Sequence, residues 1–307
     1  MDNARSVGFA ASERLLGELG AQVSALSLET EVIIVHDPLE AGPADMERVR
    51  ASCALRAGPT LSIDVLAVPG ARYYALKNAG TRAARGALVL HTDSDVVIEP
   101  GFVANMVASF DRSDVCVVTG NTYIGPCDTF FDRTVALCWL FPPRSNEVTL
   151  RPCVAVNANS LAARREVFLR FPFPIDQRFR GACQDFAAQV RAAGMQTWEN
   201  PSVRCAHAKP AGWRGIARSA LWRGHDRCCE LRSKGATMAG PVRATRGLGT
   251  SLGRALGRIR RDANQVGATP AQVPAIAAAA LGYELLIRTG YVVTRIAPNA
   301  LPSVLQR

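Results

Sequence analysis

The stretch Ala87-Leu-Val-Leu-His-Thr-Asp93-Ser-Asp95-Val-Val-Ile-Glu-Pro100 carries the strongest structural signal of the chain. Its short apolar start is typical of a buried strand. Asp93 and Asp95 follow that strand one residue apart, and a Pro-Gly pair predicts a turn shortly after them. Ligands of open α/β sheets bind outside the carboxyl ends of the strands. The stretch therefore predicts an α/β fold with an acidic ligand site at a strand end.

The spacing of the two carboxylates indicates a candidate metal site. Two carboxylates near a turn can bind one hard cation together, and Mg²⁺ usually shares its coordination sphere with substrate phosphates. The alternative is a solvated acidic turn, which the spacing alone does not exclude.

The residues around this stretch occur in an order that resembles the family-2 glycosyltransferases of the GT-A fold. That family has an Asn before a helix of small residues, an Ala-x-Gly, a strand, an Asp-x-Asp, and a Glu-Asp pair on a later helix. Here Asn78 precedes a run of small residues, Gly86 precedes the strand, and Gln184-Asp185 begins the later helix. The resemblance covers roughly residues 8–225 and implies a doubly wound, mainly parallel sheet flanked by helices. Alternating strand and helix patterns agree with such a sheet.

The resemblance implies inverting transfer of a sugar from a nucleotide-diphosphate sugar to an acceptor hydroxyl. Asp95 would bind Mg²⁺ or Mn²⁺ directly, and Asp93 would contact the metal or the donor ribose. Asp185 would be the general base, with an ordinary surface Asp as the alternative. Gln184 replaces the Glu of the family's pair and carries no carboxylate. His207 follows a strand-like segment and is a candidate third metal ligand.

The donor site is expected to include residues before the metal site. Asp37 ends a predicted strand and would face the nucleotide base, where the family uses an acidic pair; His36 replaces the first acid of that pair. Arg72 and Lys77 are candidates for phosphate contacts, with solvated surface positions as the alternative. Asn78, which matches the Asn of the family's pattern, is assigned to the same site.

The start of the chain departs from the family pattern. Family members begin with an apolar strand and a Thr-Tyr-like turn that forms part of the donor site. Here residues 1–7 stand where that turn should end, and Phe9 to Leu19 predicts the helix that follows. The sequence therefore predicts a domain without its first strand. A start codon assigned too late is the favoured explanation, and a truncated relative is the other.

Composition predicts a globular chain with a distinct C-terminal part. The 307 residues, of which 48% are hydrophobic, fit one large domain with an appendage. We divide the chain into a glycosyltransferase domain over residues 1–225 and a basic, helical region over 226–307. The nine cysteines are scattered without Cys-x-x-Cys pairs, and no signal peptide is visible. Both features favour a cytoplasmic protein with reduced thiols.

The basic surplus lies in the C-terminal third. Residues 204–307 contain 17 Lys and Arg against four Asp and Glu, whereas the whole chain has a net charge of +10. No stacking aromatic residues or known motif accompany this charge, so nucleic acid is not an expected partner. An anionic membrane surface at the cytoplasmic face fits better.

Two segments of this region are candidates for membrane contact. Leucines at 248, 252 and 256 and Ile259 alternate with arginines, which predicts a basic amphipathic helix. A solvated helix packed on the domain is the alternative. Residues 274–296 are long and apolar, but Glu284 and Arg288 lie inside them, so we expect an interfacial or partner-packing helix.

Three functions remain to be compared. The first is the glycosyltransferase, acting on a glycan or a lipid-linked acceptor. The second is a non-catalytic glycosyltransferase-like binding protein at a membrane surface, which the missing strand and Gln184 favour. The third is a sugar-nucleotide nucleotidyltransferase, which would need a Gly-rich phosphate loop after its first strand; the sequence has none.

Overall fold

The computed structural model describes residues 9–26, 28–54, 60–176, 178–233 and 248–305. Residues 1–8, on which the expected loss of a first strand depends, lie outside this described part. The chain forms two compact units. The first consists of Met1–Tyr123, Arg144–Ile175 and Ala182–Ala208, and the second of Ile124–Pro143, Asp176–Gly181 and Lys209–Arg307.

Helices and strands alternate along most of the chain. In chain order the elements are α1 (Phe9–Leu26), β1 (Thr30–His36), α2 (Pro43–Ala54), β2 (Leu61–Ala67), α3 (Tyr73–Ala83), β3 (Leu88–Thr92), β4 (Val96–Ile98), α4 (Phe102–Ala108), a short 3₁₀ turn (Ser109–Asp111), β5 (Val117–Ile124), α5 (Phe130–Cys138), β6 (Arg151–Pro152), β7 (Ser160–Arg164), α6 (Arg165–Arg170), α7 (Ala182–Ala192), β8 (Thr197–His207), α8 (Gly212–Ser233), α9 (Leu248–Asp262), α10 (Val273–Ile296) and α11 (Ala300–Leu305).

The strands form two sheets with mixed pairing. β1 and β2 are parallel neighbours, joined through α2. A six-stranded sheet has the order β3-β7-β5-β8-β4, with β6 paired to β8, and the β3–β7, β5–β7, β4–β8 and β6–β8 pairs are antiparallel. The α/β class is confirmed, but the sheet is mixed where a mainly parallel one was expected. Sequence periodicity reports which residues are buried, not which distant strands become neighbours or in which direction they pair.

Apolar side chains pack two cores in the first unit. One lies among α1, α2, α4 and β4, and its fully buried members include Val49, Val96 and Phe102. The other packs α3, α6 and α7 with β3 and β7, and contains Phe168, Phe173 and Phe186. Burial of one such Phe contributes roughly 1.5–3 kcal/mol, so these cores fix the strand ends where the site lies.

The second unit is built from helices. Helices α8 and α10 approach each other closely at two glycines: a Cβ on Gly224 would lie 2.0 Å from the carbonyl oxygen of Ile287, and one on Gly290 would lie 2.2 Å from that of Leu221. Helix α5 begins with a capping box formed by Thr129 and Asp132. The boundary predicted after residue 225 falls inside α8, so residues on both sides of it belong to this unit.

The basic helix α9 packs in a way that its sequence pattern did not show. Ile259 is buried, whereas Leu256 of the same predicted stripe is 42% exposed. Arg258 donates to the carbonyl oxygens of Ala136, Trp139 and Phe141 at the end of α5. The helix is confirmed, but Arg258 and Ile259 belong to the interior of the unit and do not form a continuous outer face.

Among the described residues, one helix is long and apolar enough to cross a membrane, by length and composition alone. It is α10, and a third of its most apolar window is buried inside the unit. Ile276, Tyr283 and Ile287 are among its buried side chains. These side chains pack inside the unit, and the interfacial or partner-packing role of the helix stays a prediction.

Candidate metal and donor site

Strand register places the candidate metal ligands together. Asp93 and Asp95 lie in the short connection between β3 and β4. β4 pairs antiparallel with β8, and Val96 lies opposite His207, the last residue of β8. His207 therefore lies near Asp93 and Asp95, more than 100 residues earlier in the chain, because β4 and β8 are neighbours.

The three side chains form a group that can hold a metal ion. One ligand atom from each of Asp93, Asp95 and His207 lies within 4.8 Å of the others. The Oδ2 atom of Asp95 lies 3.9 Å from Nε2 of His207, and its buried Oδ1 atom has no hydrogen-bond partner. A buried carboxylate oxygen without a partner is costly unless a cation or another donor completes it. Carboxylates suit Mg²⁺ or Mn²⁺, and of these two ions Mn²⁺ accepts a histidine nitrogen more readily, so the residues fit the expected metal.

The orientation of His207 also suits metal binding. Its Nδ1 atom lies 2.8 Å from the carbonyl oxygen of Ala208. A carbonyl only accepts hydrogen bonds, so in the neutral ring Nδ1 carries the proton and Nε2 keeps a lone pair toward Asp95.

The two carboxylates of the motif differ in their electrostatic surroundings. Burial raises the pKa of Asp95, and the charge of Asp93 raises it further, although His207 opposes both. Burial also acts to raise the pKa of Asp93, but the charge and hydrogen bond of Lys77, together with His207 and Tyr73, outweigh burial and lower that pKa below its ordinary value. Asp93 is therefore held as a carboxylate, whereas Asp95 is the group that gains most from a bound cation.

Two side chains of α3 hold Asp93 by one oxygen. The Nζ atom of Lys77 lies 2.8 Å from Oδ1 of Asp93, and the hydroxyl of Tyr73 donates to the same atom at 2.7 Å. Lys77 also donates to the carbonyl oxygen of Thr92 at 3.2 Å, and its side chain is 8% exposed. Lys77 is therefore not a solvated surface residue, which was the alternative, and its predicted contact with a donor phosphate stays a prediction.

Asn78 has a packing role. Its Nδ2 atom donates to the carbonyl oxygen of Phe173 at 2.8 Å, and its Oδ1 atom accepts from the amide of Phe173 at 3.0 Å. Asn78 is buried, so it joins α3 to the segment before α7. Its amide bonds both backbone groups of Phe173, and its predicted place in the donor site stays a prediction.

The other predicted donor residues lie at element ends. Asp37 follows β1, is half-buried, and accepts from the amide of Leu39 at 3.0 Å in a local turn. His36 is buried, with Nδ1 3.0 Å from the carbonyl oxygen of Ala41. Arg72 is exposed at the start of α3. The donor roles of Asp37 and Arg72 stay predictions.

Asp185 lies in the first turn of α7 and is half-buried. The start of α7 contacts α3, since the hydroxyl of Tyr74 lies 3.5 Å from Sγ of Cys183. Tyr74 is the neighbour of Tyr73, which binds Asp93, so α3 lies beside both the metal group and the helix that carries Asp185. The general-base role of Asp185 stays a prediction.

Gln184 has a specific structural partner. Its Nε2 atom donates to the carbonyl oxygen of Val156 at 2.7 Å, and its Oε1 atom accepts from the amide of Val156 at 3.4 Å. A Glu at this position could not donate to that carbonyl. The replacement of Glu by Gln is therefore explained by packing, and it is not by itself a sign of lost activity.

Sequence reasoning missed Tyr73. Tyr73 and Lys77 are four residues apart, so they share one face of α3. That spacing was visible in the sequence, but the strand that this face meets was not.

The comparisons with known proteins agree with this geometry. Residues 62–169 match the model of Glycosyl transferase family 2. Over these residues the chain is similar to the family-2 glycosyltransferases. The matched segment contains α3, the Asp93–Asp95 motif and β7, but ends before Asp185 and His207. A comparison with curated proteins found no match.

Several solved structures are similar to this chain. The mannosyltransferase PcManGT from Pyrobaculum calidifontis, solved with GDP-Man and Mn²⁺, is 18% identical, with a TM-score of 0.54 over 93% of this chain and 84% of that chain. The S. aureus TarS 1-349 complex with UDP-GlcNAc is 14% identical, with a TM-score of 0.47 over 93% and 89%. The first likeness establishes that the chain has the GT-A fold.

Proposed function

We propose that this glycosyltransferase moves a sugar from a nucleotide-diphosphate sugar to an acceptor hydroxyl, with metal assistance and inversion at the anomeric carbon. The observation that carries the proposal is the buried, unpartnered Oδ1 atom of Asp95 beside Asp93 and His207. A cation would stabilise this group of side chains, and a diphosphate leaving group needs a cation to neutralise its charge.

Asp93, Asp95 and His207 would hold Mg²⁺ or Mn²⁺. The ion would neutralise the negative charge that develops on the diphosphate as the sugar departs. PcManGT was solved with Mn²⁺ and GDP-Man, which is a precedent for this pairing in the same fold. In the present chain, Asp95 and His207 would supply direct ligands, and Asp93 would supply its Oδ2 atom, because Oδ1 is already bound by Lys77 and Tyr73.

Asp185 would act on the acceptor. Its carboxylate would take the proton from the acceptor hydroxyl as the oxygen attacks the anomeric carbon from the side opposite the diphosphate. One displacement at the anomeric carbon inverts its configuration. Helix α7 suits this task because its first turn is fixed twice, by Gln184 on Val156 and by Cys183 on Tyr74.

We further propose a glycan or lipid-linked acceptor and reversible association with the anionic cytoplasmic face of a membrane. Exposed arginines lie on α9 at 254, 260 and 261, and exposed leucines lie on α10 at 281 and 285. A basic surface beside apolar side chains suits an anionic bilayer without a span. The second function considered, a non-catalytic binding protein, loses one of its arguments, because Gln184 has a structural partner.

Titration calorimetry of the full chain with UDP- and GDP-sugars, in Mn²⁺ and in EDTA, tests the function. We expect one sugar nucleotide to bind in Mn²⁺ and to lose most of its affinity in EDTA. Asp95→Asn should lose the Mn²⁺ effect, whereas the matched control Asp114→Asn should keep it, because Asp114 is 57% exposed and pairs only with exposed Arg112. Equal affinity in Mn²⁺ and EDTA would remove the metal from the proposal.

A further inference from the structure

The ammonium of Lys77 lies inside the group of proposed metal ligands. Its Nζ atom is 2.8 Å from Asp93 Oδ1 and 3.2 Å from the carbonyl oxygen of Thr92, and its side chain is 8% exposed. The same ammonium lies 4.8 Å from the ring centroid of Tyr73. Lys77 is thus held on several sides and cannot swing into solvent without breaking these contacts.

This arrangement limits the negative charge that a cation would meet. Asp93 and Asp95 together supply two carboxylates, and an imidazole that binds a metal ion does so through a lone pair as a neutral ligand, so His207 would add no negative charge. The positive charge of Lys77 cancels that of Asp93, so the group offers a divalent ion at most one net negative charge. Metal sites of low ligand charge bind their ions weakly.

The arrangement also restricts how Asp93 can act. Its Oδ1 atom accepts from Lys77 and from Tyr73, so Oδ2 is the oxygen left to face a metal or a sugar. These two bonds fix the direction of the carboxylate. Its Oδ2 atom can therefore bind a cation whose remaining charge is balanced by another anionic group.

From these observations, and resting on the proposed function, we infer that Lys77 makes cation binding depend on the donor: the divalent cation and the nucleotide diphosphate enter the site as one unit. Lys77 neutralises the charge of Asp93, and the diphosphate supplies the negative charge that the cation then lacks. Lys77 is therefore a positioning residue that acts through Asp93, and it prevents the site from holding a cation tightly without the nucleotide.

Calorimetry with Mn²⁺ alone, and with Mn²⁺ plus UDP or GDP, tests this inference. The main variant is Lys77→Gln, whose amide can still donate to Asp93 but carries no charge. We expect Lys77→Gln to bind Mn²⁺ alone on the order of tenfold more tightly than the wild type, since a positive charge close to the ion is gone. The enhancement of Mn²⁺ affinity by the nucleotide should shrink accordingly.

Two further variants complete the test. Arg82→Gln removes the same charge from an exposed position on the same helix and should bind Mn²⁺ as the wild type does. Lys77→Arg keeps the charge and should also retain weak binding of Mn²⁺ alone, which makes it informative if Lys77→Gln fails to fold by circular dichroism; tight binding to Lys77→Arg would overturn the inference.

The outcomes separate the inference from the function it rests on. Unchanged or weaker binding of Mn²⁺ alone by folded Lys77→Gln would overturn the role of Lys77, whatever the nucleotide does. Failure of every variant and of the wild type to bind UDP or GDP in Mn²⁺ would instead overturn the proposed function.

Discussion

Lys77 in the first unit and Arg258 in the second are both basic residues on helices whose sequences suggested an exposed, ligand-facing charge. Lys77 instead meets the carboxylate of Asp93, within a group of ionisable side chains. Arg258 meets three backbone carbonyl oxygens at the end of α5. The first cation is placed where its charge acts on a ligand site, and the second where it completes a helix end. The partner of a buried cation, and not its sequence context, decides whether it serves function or stability.

The largest effect should come from the acceptor side of the first unit. Asp185→Asn should lower turnover by 10²–10⁴-fold and leave donor affinity nearly unchanged, because the base acts mainly in the transition state. Measurements are kcat by product formation and donor Kd by calorimetry. The matched control Asp64→Asn, at an exposed position of β2, should keep full activity. A variant that retains more than about a tenth of wild-type turnover would show that Asp185 is not the base.

In the second unit, buried charge should appear in the pH dependence of stability. Burial raises the pKa of Asp226 to about 7, although the amide of Phe179 bonds its Oδ1 atom. The folded protein therefore binds a proton that the unfolded chain, with an ordinary Asp pKa, releases. Stability should fall as pH rises from about 4 to about 7, by on the order of 2–4 kcal/mol.

Urea unfolding of the wild type and of Asp226→Asn between pH 4.5 and 8 measures this contribution. The Asn variant cannot ionise, so it should lose that part of the pH dependence and gain stability at pH 8 relative to the wild type. Identical pH profiles for the two proteins would contradict the buried, protonated state of Asp226.

Arg258→Met should destabilise the protein by about 2 kcal/mol, because the carbonyl oxygens of Ala136, Trp139 and Phe141 lose a charged donor. Urea unfolding measures the loss, and Mn²⁺-dependent donor affinity should stay within about twofold of the wild type. Arg254→Met, on the exposed side of the same helix, is the control and should change neither quantity. A donor affinity that falls in Arg258→Met would contradict the purely stabilising role of Arg258, and with it the contrast to Lys77.

The smallest effect should be on membrane association. Each arginine near an anionic surface contributes roughly 1 kcal/mol, so Arg260→Gln with Arg261→Gln should weaken vesicle binding by about tenfold or more. Co-sedimentation with anionic and neutral vesicles across a salt series measures it, and binding should fade as the Debye length drops from about 10 Å at 0.1 M to about 3 Å at 1 M. Binding to neutral vesicles at 1 M salt would indicate insertion of α10, and no binding at all would contradict the membrane proposal.

The predictable parts of the site are those whose residues are close together in the sequence. Asp93 and Asp95 were visible because a strand end and its carboxylates are adjacent in sequence. His207 was assigned through the family resemblance and strand-like residues before it, and the β4–β8 register brings it to Asp95.

The partners of α3 could not be predicted in the same way. Lys77 and Asn78 were expected at the donor, yet they bind Asp93 and the backbone of Phe173, which lies 95 residues from Asn78. A helical pattern shows that two residues share a face, but the strand or loop that this face meets depends on the whole fold. In α9 the helix was predicted correctly, but tertiary packing buries Ile259 and partly buries Arg258, which the sequence pattern did not show.

Electron spin-echo spectroscopy of Mn²⁺, bound together with whichever of UDP or GDP binds the chain, tests the central claim most directly. If His207 and the diphosphate share the ion, the spectrum will show coupling to an imidazole ¹⁴N and to ³¹P, and His207→Gln will lose the ¹⁴N coupling while retaining ³¹P. A wild-type spectrum with ³¹P coupling and no ¹⁴N coupling would show that the ion binds without His207, and would contradict the metal site described here.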